Sequence, residues 1–409
     1  MSRLTTTASI LPVLFTLVFA AGCKSVIERQ DVRPRVLRDV PARNLAYRLS
    51  PDMPLPGNLN PDELPDKDVN IANAFAAKRE NDALLRTIAS PDGKRVLALY
   101  GTENEPSSSF RIDLYNSDGE FLRNLIPPDL SCLFQETVAW SPDGRFINFI
   151  ARKRVSPSPT PTPPTQPEPE PNPSPVGSPV ASPSIAPLFP PVASFYTEQI
   201  YICNRDGYDL KPLTSREGLI YFYFAWAPDS HAMVALACKE DEWNAREQQY
   251  RLPAGRPRLI TPDGNERLLD DGITDALPVW CPDASKIATA FDTDVAIYDA
   301  GGSTPTQGRV PLGEQLIAAS IIYEEKSGAK KAGANENAKP GASPPPSSPA
   351  SSSTPSVPPS FNPIVRLQWP SPEMIYFQTA YVRVMPSETI NTFQRWHQLN
   401  LSAQAAILK

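Results

Sequence analysis

An all-β fold, made of five to six four-stranded antiparallel units interrupted by proline-rich insertions, is predicted by three features of the sequence. A turn motif recurs in register along the chain, short β-branched and aromatic runs flank each copy, and no helical period separates the runs. The clearest copies of the motif are Ala139–Ala284 members of one pattern: Trp140-Ser141-Pro142-Asp143-Gly144, Trp226-Ala227-Pro228-Asp229-Ser230 and Trp280-Cys281-Pro282-Asp283-Ala284. An earlier copy, Ile88-Ala89-Ser90-Pro91-Asp92-Gly93, has Ile in place of Trp, and a later one, Trp369-Pro370-Ser371-Pro372-Glu373, keeps the Trp and loses the Asp-Gly. Anchored on Ile88, Trp140, Trp226, Trp280 and Trp369, the steps are 52, 86, 54 and 89 residues; without the proline-rich stretches the long steps shrink to 49 and 51. A period of about 50 residues is the length of one four-stranded propeller blade, so the predicted architecture is a β-propeller.

The elements follow in chain order. Residues 1–22 read as an export signal: Arg3 precedes an uncharged apolar run from Ile10 to Ala21, 12 residues long, which is too short for the ~20 residues a spanning helix requires. The run ends in Ala20-Ala21-Gly22-Cys23, which resembles the lipobox of bacterial lipoproteins, with Ala20 where Leu is commonest. That resemblance implies cleavage before Cys23 and acylation of its thiol, and Lys24 implies sorting to the outer membrane, facing the periplasm. Residues 23–83 are expected to be a spacer between anchor and body, with a short helix within Asn70–Arg86.

From residue 84 to 409 the body is expected to be the propeller, with disordered insertions at 156–192 and 326–363. The first holds 15 of the 49 prolines, and residues 340–363 hold nine more; proline at that density donates no sheet ladder and builds no core. In the second unit the strand-like runs are 137–140, 146–150, 199–202 and 210–214. Ser-Pro-Asp-Gly between the first two is turn chemistry, since Pro fixes φ, Asp bonds its own backbone and Gly accepts positive φ. Asn204-Arg205-Asp206-Gly207 and Asn116-Ser117-Asp118-Gly119 supply a second turn in the same units. A sixth unit is open: the N-terminal segment, a strand over 316–323, or strands from both termini could complete it.

The Trp-x-Pro-Asp turn followed by an apolar strand, together with the Asn-x-Asp-Gly turn, resembles the WD40-like repeat of the TolB family of periplasmic propellers. The resemblance covers about residues 84–315, with a weak copy from 364 onward, and implies contacts with envelope proteins and lipoproteins. It places Pro91, Asp92, Gly93, Trp140, Pro142, Asp143, Gly144, Trp226, Pro228, Asp229, Trp280, Pro282, Asp283 and Trp369 in structural roles, as hairpin turns and packing between blades.

Catalytic chemistry has little support in the sequence. There is no nucleophile elbow, zinc-protease, dinucleotide or phosphate-loop motif. Ser230-His231 is a sequence-local serine and histidine pair in a degenerate turn, and the other histidine, His397, lies far away. The chain ends at Lys409 within the fifth unit, where the propeller-bearing oligopeptidases continue into a hydrolase domain. The expectation is therefore a chain that is not an enzyme and needs no cofactor or metal: a lipid-anchored envelope module that binds proteins. The alternative is a propeller enzyme or carbohydrate-binding propeller with its site in the central channel. Carboxylates at Glu240-Asp241-Glu242 and Asp270-Asp271 read as solvated surface before they read as a calcium site. Cys132, Cys203, Cys238 and Cys281 could pair in an oxidising compartment or remain buried thiols. A formal charge of −6 without a basic stripe gives nucleic-acid binding no support.

Overall fold

The computed structural model describes residues 36–59, 67–103, 109–154, 192–249, 251–323, 363–385 and 388–403. Cys23 and nearly all of both proline-rich insertions lie outside them. The described chain is mostly β, with five antiparallel sheets, four of four strands and one of five.

Strand β1 (Leu45–Ser50) comes first, then helix α1 (Val69–Lys78). The first sheet is β2 (Ala83–Ala89), β3 (Arg95–Gly101), β4 (Arg111–Asn116) and β5 (Phe121–Asn124). The second holds β6 (Leu130–Cys132), β7 (Ala139–Trp140), β8 (Phe146–Lys153), β9 (Gln199–Asn204) and β10 (Lys211–Pro212). The third is β11 (Leu219–Trp226), β12 (Met233–Lys239), β13 (Arg256–Ile260) and β14 (Glu266–Leu268), with helix α2 (Glu240–Gln248) between its second and third strands. The fourth is β15 (Val279–Trp280), β16 (Lys286–Phe291), β17 (Asp294–Asp299) and β18 (Gln307–Pro311), followed by helix α3 over 313–323. The fifth is β19 (Ile364–Ser371), β20 (Met374–Met385) and β21 (Glu388–Ala403), and its last place is taken by β1, Leu45 facing Ala403 and Ser50 facing Gln398.

The motif turns close the first hairpin of each sheet. Ser90 and Ser141 each accept from the glycine amide three residues on, at 2.9 and 2.8 Å, and Gly93 and Gly144 sit at φ +67° and +68°. Ser230 and Ala284 occupy the same place at φ +64° and +59°, where a side chain costs about 1 kcal/mol. Ala284→Gly is therefore expected to raise stability by about 0.5–1 kcal/mol, read as a higher urea midpoint at unchanged slope; an unchanged or lower midpoint would contradict the strain. Ser230→Gly should gain less, because the Ser230 hydroxyl accepts from the Asp143 amide at 2.9 Å.

Packing proceeds sheet on sheet in chain order. Leu97, Ile112 and Leu114 of the first sheet share a core with Trp140, Ile147 and Phe149 of the second. Ile150 and Ile200 meet Tyr221 and Trp226 of the third, Val234 and Leu259 meet Trp280 and Ile287 of the fourth, and Ala288 and Ile297 meet Leu367, Trp369 and Phe377 of the fifth. Each Trp is thus an inter-sheet wedge. The indole of Trp140 donates to Ile88 O at 3.2 Å and that of Trp280 to Ala225 O at 3.0 Å, while Trp226 lies nearly parallel to Phe146 with centroids 6.5 Å apart.

Two expectations change. The segment read as a spacer over 23–83 belongs to the body from about residue 36 onward: Leu37, Val40 and Ala42 are buried, and β1 completes the fifth sheet. Gly308 makes the close approach possible, because a Cβ there would stand 2.4 Å from Ala42 O. Residues 316–323 are helical, not a strand: Leu316, Ala319 and Ser320 bury one side, and the Ser320 hydroxyl donates to Leu316 O at 2.8 Å. Among the described residues the first and fifth sheets share no core cluster. The face of the first sheet that a fifth blade would cover is taken by α1, whose Ile71 and Phe75 pack on Val96, Ala98 and Tyr100.

Candidate functional site

Strand polarity sorts the connections to two ends of the molecule. One end gathers the hairpin turns, which touch from sheet to sheet: Arg205 to Asp92 at 2.8 Å, Arg95 to Asp206 at 3.2 Å, and Arg267 to Asp299 O at 3.0 Å. The other end gathers α2, α3 and the chain entering and leaving both insertions, tied by Arg256 to Glu242 at 2.8 Å and Arg395 to Ala319 O at 3.2 Å.

A cleft of about 690 Å³ opens at the turn end. Its floor is the motif turn of the fourth sheet, Asp283–Lys286, and its walls are Asp229 and His231 of the third, the 299–304 turn, and the N-terminal segment Arg38–Pro41. Each wall follows from local chemistry: Gly301 and Gly302 turn the chain tightly after Asp299, and the motif prolines fix the two Asp turns. Lys286 is 3% exposed, and its Nζ donates to Arg38 O at 3.2 Å beside Asp299 Oδ1 at 3.3 Å. Asp299 also accepts from the Ala42 amide at 3.1 Å and from Thr306. The lysine and aspartate thereby clamp the N-terminal segment across the fourth sheet. Burial would raise the Asp283 carboxyl, but the hydroxyl and amide of Ser285 hold it below the usual carboxylate range.

The arrangement offers hydroxyls and carboxylates to a polar ligand, with the Lys286 ammonium turned inward on Arg38 O and Asp299, and among the described residues it assembles no nucleophile with a base. His231 Nδ1 lies 2.9 Å from Asp229 O, its amide donates to Asp229 Oδ1 at 3.1 Å, and its ring is largely exposed. Ser285 Oγ is 2.6 Å from Asp283 Oδ1.

Of the residues singled out by sequence, Asp229 and Asp283 line this cleft, with Pro228 and Pro282 in the turns that present them. Pro91, Asp92, Gly93, Pro142, Asp143 and Gly144 form the corresponding turns of the first and second sheets, and Ser90 and Arg205 hold the Asp92 carboxyl below its ordinary range. Trp140, Trp226, Trp280 and Trp369 are buried between sheets, away from it. Sequence reasoning missed Arg38, Lys286 and Asp299, whose contacts join positions 248 and 257 residues apart. Of the carboxylates weighed for calcium, Glu242 and Asp270 are engaged by guanidinium groups: Arg256 holds Glu242 down to about 2, and Arg309 meets Asp270 at 2.7 Å. The four cysteines of the body are buried and form no disulfide, and burial pushes Cys203, Cys238 and Cys281 up to about 12.

No protein-family model and no curated protein sequence matches the chain. Solved structures similar to it include an oligogalacturonate lyase from Vibrio parahaemolyticus, 10% identical over 56% of this chain and 54% of that one, TM-score 0.32. Prolyl oligopeptidase B from Galerina marginata matches at 10% identity over 67% and 36%, TM-score 0.36, and Porphyromonas gingivalis dipeptidyl peptidase 4 at 10% over 76% and 46%, TM-score 0.33. All three are β-propeller proteins. The chain spans about half the length, 52–54%, of the first solved proteins it matches. By their names these proteins are a lyase and two peptidases, so the expectation that the chain is not an enzyme is withdrawn. TM-scores this low carry over no activity, blade number or ring closure to this chain.

Proposed function

We propose that the chain is an envelope lipoprotein, anchored through acyl groups on Cys23, whose TolB-like, propeller-type blades bind envelope proteins or lipoproteins. The observation that supports it most is the treatment of the segment behind Cys23: only 12 residues, 24–35, separate that cysteine from a stretch clamped by Lys286 and Asp299 and continued as β1. An anchor wired into the body in this way suits a module held at a membrane surface, most simply the periplasmic face of the outer membrane. Multiple acyl chains, at ~0.8 kcal/mol per buried methylene, hold such a module firmly.

Cys23→Ser is expected to remove the diacylglyceryl mass from the mature N-terminus and move the protein from the membrane to the soluble fraction. An unchanged mass and distribution would contradict the anchor. Crosslinking from envelopes with wild-type protein should then capture a specific envelope partner that the Cys23→Ser protein captures less well. A second reading, a small hydroxylated ligand such as a carbohydrate, is favoured by the polar lining of the 690 Å³ cleft; saturable binding abolished by Asp229→Ala, with the thermal melt unchanged, would support it.

A further inference from the structure

We infer that the anchored protein stands on its turn end, with the end that carries α2, α3 and the insertion sites presented away from the bilayer. The inference rests on the lipid anchor proposed above and adds an orientation to it. Arg38 and Ala42 are fixed to Lys286 and Asp299, and the Arg43 amide donates to Thr306 Oγ1 at 3.3 Å, all at or beside the turns of the fourth sheet. The chain toward Cys23 therefore leaves the body at the turn end. β1 then runs from that end to the other, where Asp52 is held by Arg395.

Tether length decides how far this exit point constrains the body. Twelve residues reach at most about 40 Å. The central strands of 6–8 residues make the sheets roughly 20–27 Å tall. With the exit point at the membrane the far end stands a full sheet height above it, and inverting the molecule would require about half to two-thirds of the tether's full reach to run alongside the body. The two ends also differ in surface. Leu252, Tyr196, Ile317, Ile321 and Ile322, exposed by 47–72%, all lie on connections of the far end. The turn end is built mainly from Asp, Ser, Gly and Arg turns, and among the described residues its exposed large apolar side chains are Tyr208, Val69 beside the Gly119 turn, and the tether's own Val36.

Single cysteines test the orientation, because the native cysteines of the body are buried and react slowly. A donor dye on Ser303→Cys, in the turn after β17, and on Gln248→Cys, at the end of α2, would be compared in purified lipidated protein. The vesicles would be phosphatidylethanolamine and phosphatidylglycerol carrying an acceptor-labelled lipid. Energy transfer is expected to be clearly stronger from position 303, corresponding to a difference in height of about 20 Å. Equal or reversed transfer, with the protein still floating with the vesicles, overturns the orientation alone. Failure to float overturns the anchor, and the orientation with it. Lengthening the tether by about thirty Gly/Ser residues should erase the difference; a difference that persists would show that the exit point does not set the orientation.

Discussion

Removal of residues 36–50 is expected to lower the melting temperature by well over 10 °C and to generate dye-binding apolar surface on the fifth sheet. The deletion strips β1 from the backbone of β21 along six paired positions. It also withdraws buried Leu37 and Ala42 and half-buried Leu45 and Leu49 from the core between the fourth and fifth sheets. At about 1.5–3 kcal/mol for each well-buried side chain, the loss is of the same order as the ~5–15 kcal/mol total stability of a domain. Removal of 24–35 alone is expected to leave the melting temperature unchanged. Were 36–50 a mere spacer, both deletions would be silent in a thermal melt.

Arg395→Ala carries the second large effect. The guanidinium is buried, donates to both oxygens of Asp52 at 2.7 and 2.8 Å, reaches Ser320 Oγ at 3.0 Å and Ala319 O at 3.2 Å, and lies over the Tyr323 ring. It ties the chain after β1 to β21 and α3. Breaking such a node costs about 3–5 kcal/mol; Arg395→Lys should recover only part, since an ammonium cannot reproduce the fork. A denaturant midpoint unchanged by Arg395→Ala would contradict the role.

The neighbouring His397 adds a pH dependence. Its Nδ1 accepts from the Asp52 amide at 3.2 Å and its Nε2 faces Thr379 Oγ1 at 3.1 Å. Burial, then the Arg395 charge, lowers it from 6.5 to about 4, with Asp52 opposing. The native state therefore binds fewer protons than the unfolded chain between these values. The contribution is fully present above pH 6.5 and is lost as pH falls toward 4, up to about 3 kcal/mol. His397→Gln is expected to flatten that part of a stability profile between pH 7 and 4; an unaltered slope would contradict it.

The parts of the fold that were readable from sequence are those written locally. Ser-Pro-Asp-Gly states its own turn, and the Trp before it marks a period that two insertions only stretch. What stayed hidden depends on distance along the chain or on context. β1 pairs with a strand about 350 residues away, and nothing in Leu45–Ser50 announces that partner. The β-branched run of α3 reads as a strand, yet its burial follows a helical spacing. α1 was legible as a helix, but not that it would occupy the face where a fifth blade would close the ring. The cleft was half legible, because Asp229 and Asp283 belong to the repeat while Arg38 and Lys286 meet only in three dimensions.

Amide hydrogen exchange along residues 45–50 tests most directly whether the segment behind the anchor is part of the body. The account predicts protection of these amides comparable with that of 398–403 opposite them, lost together in one cooperative opening. Exchange of 45–50 at the rate of an unstructured peptide, while 398–403 stay protected, would contradict it.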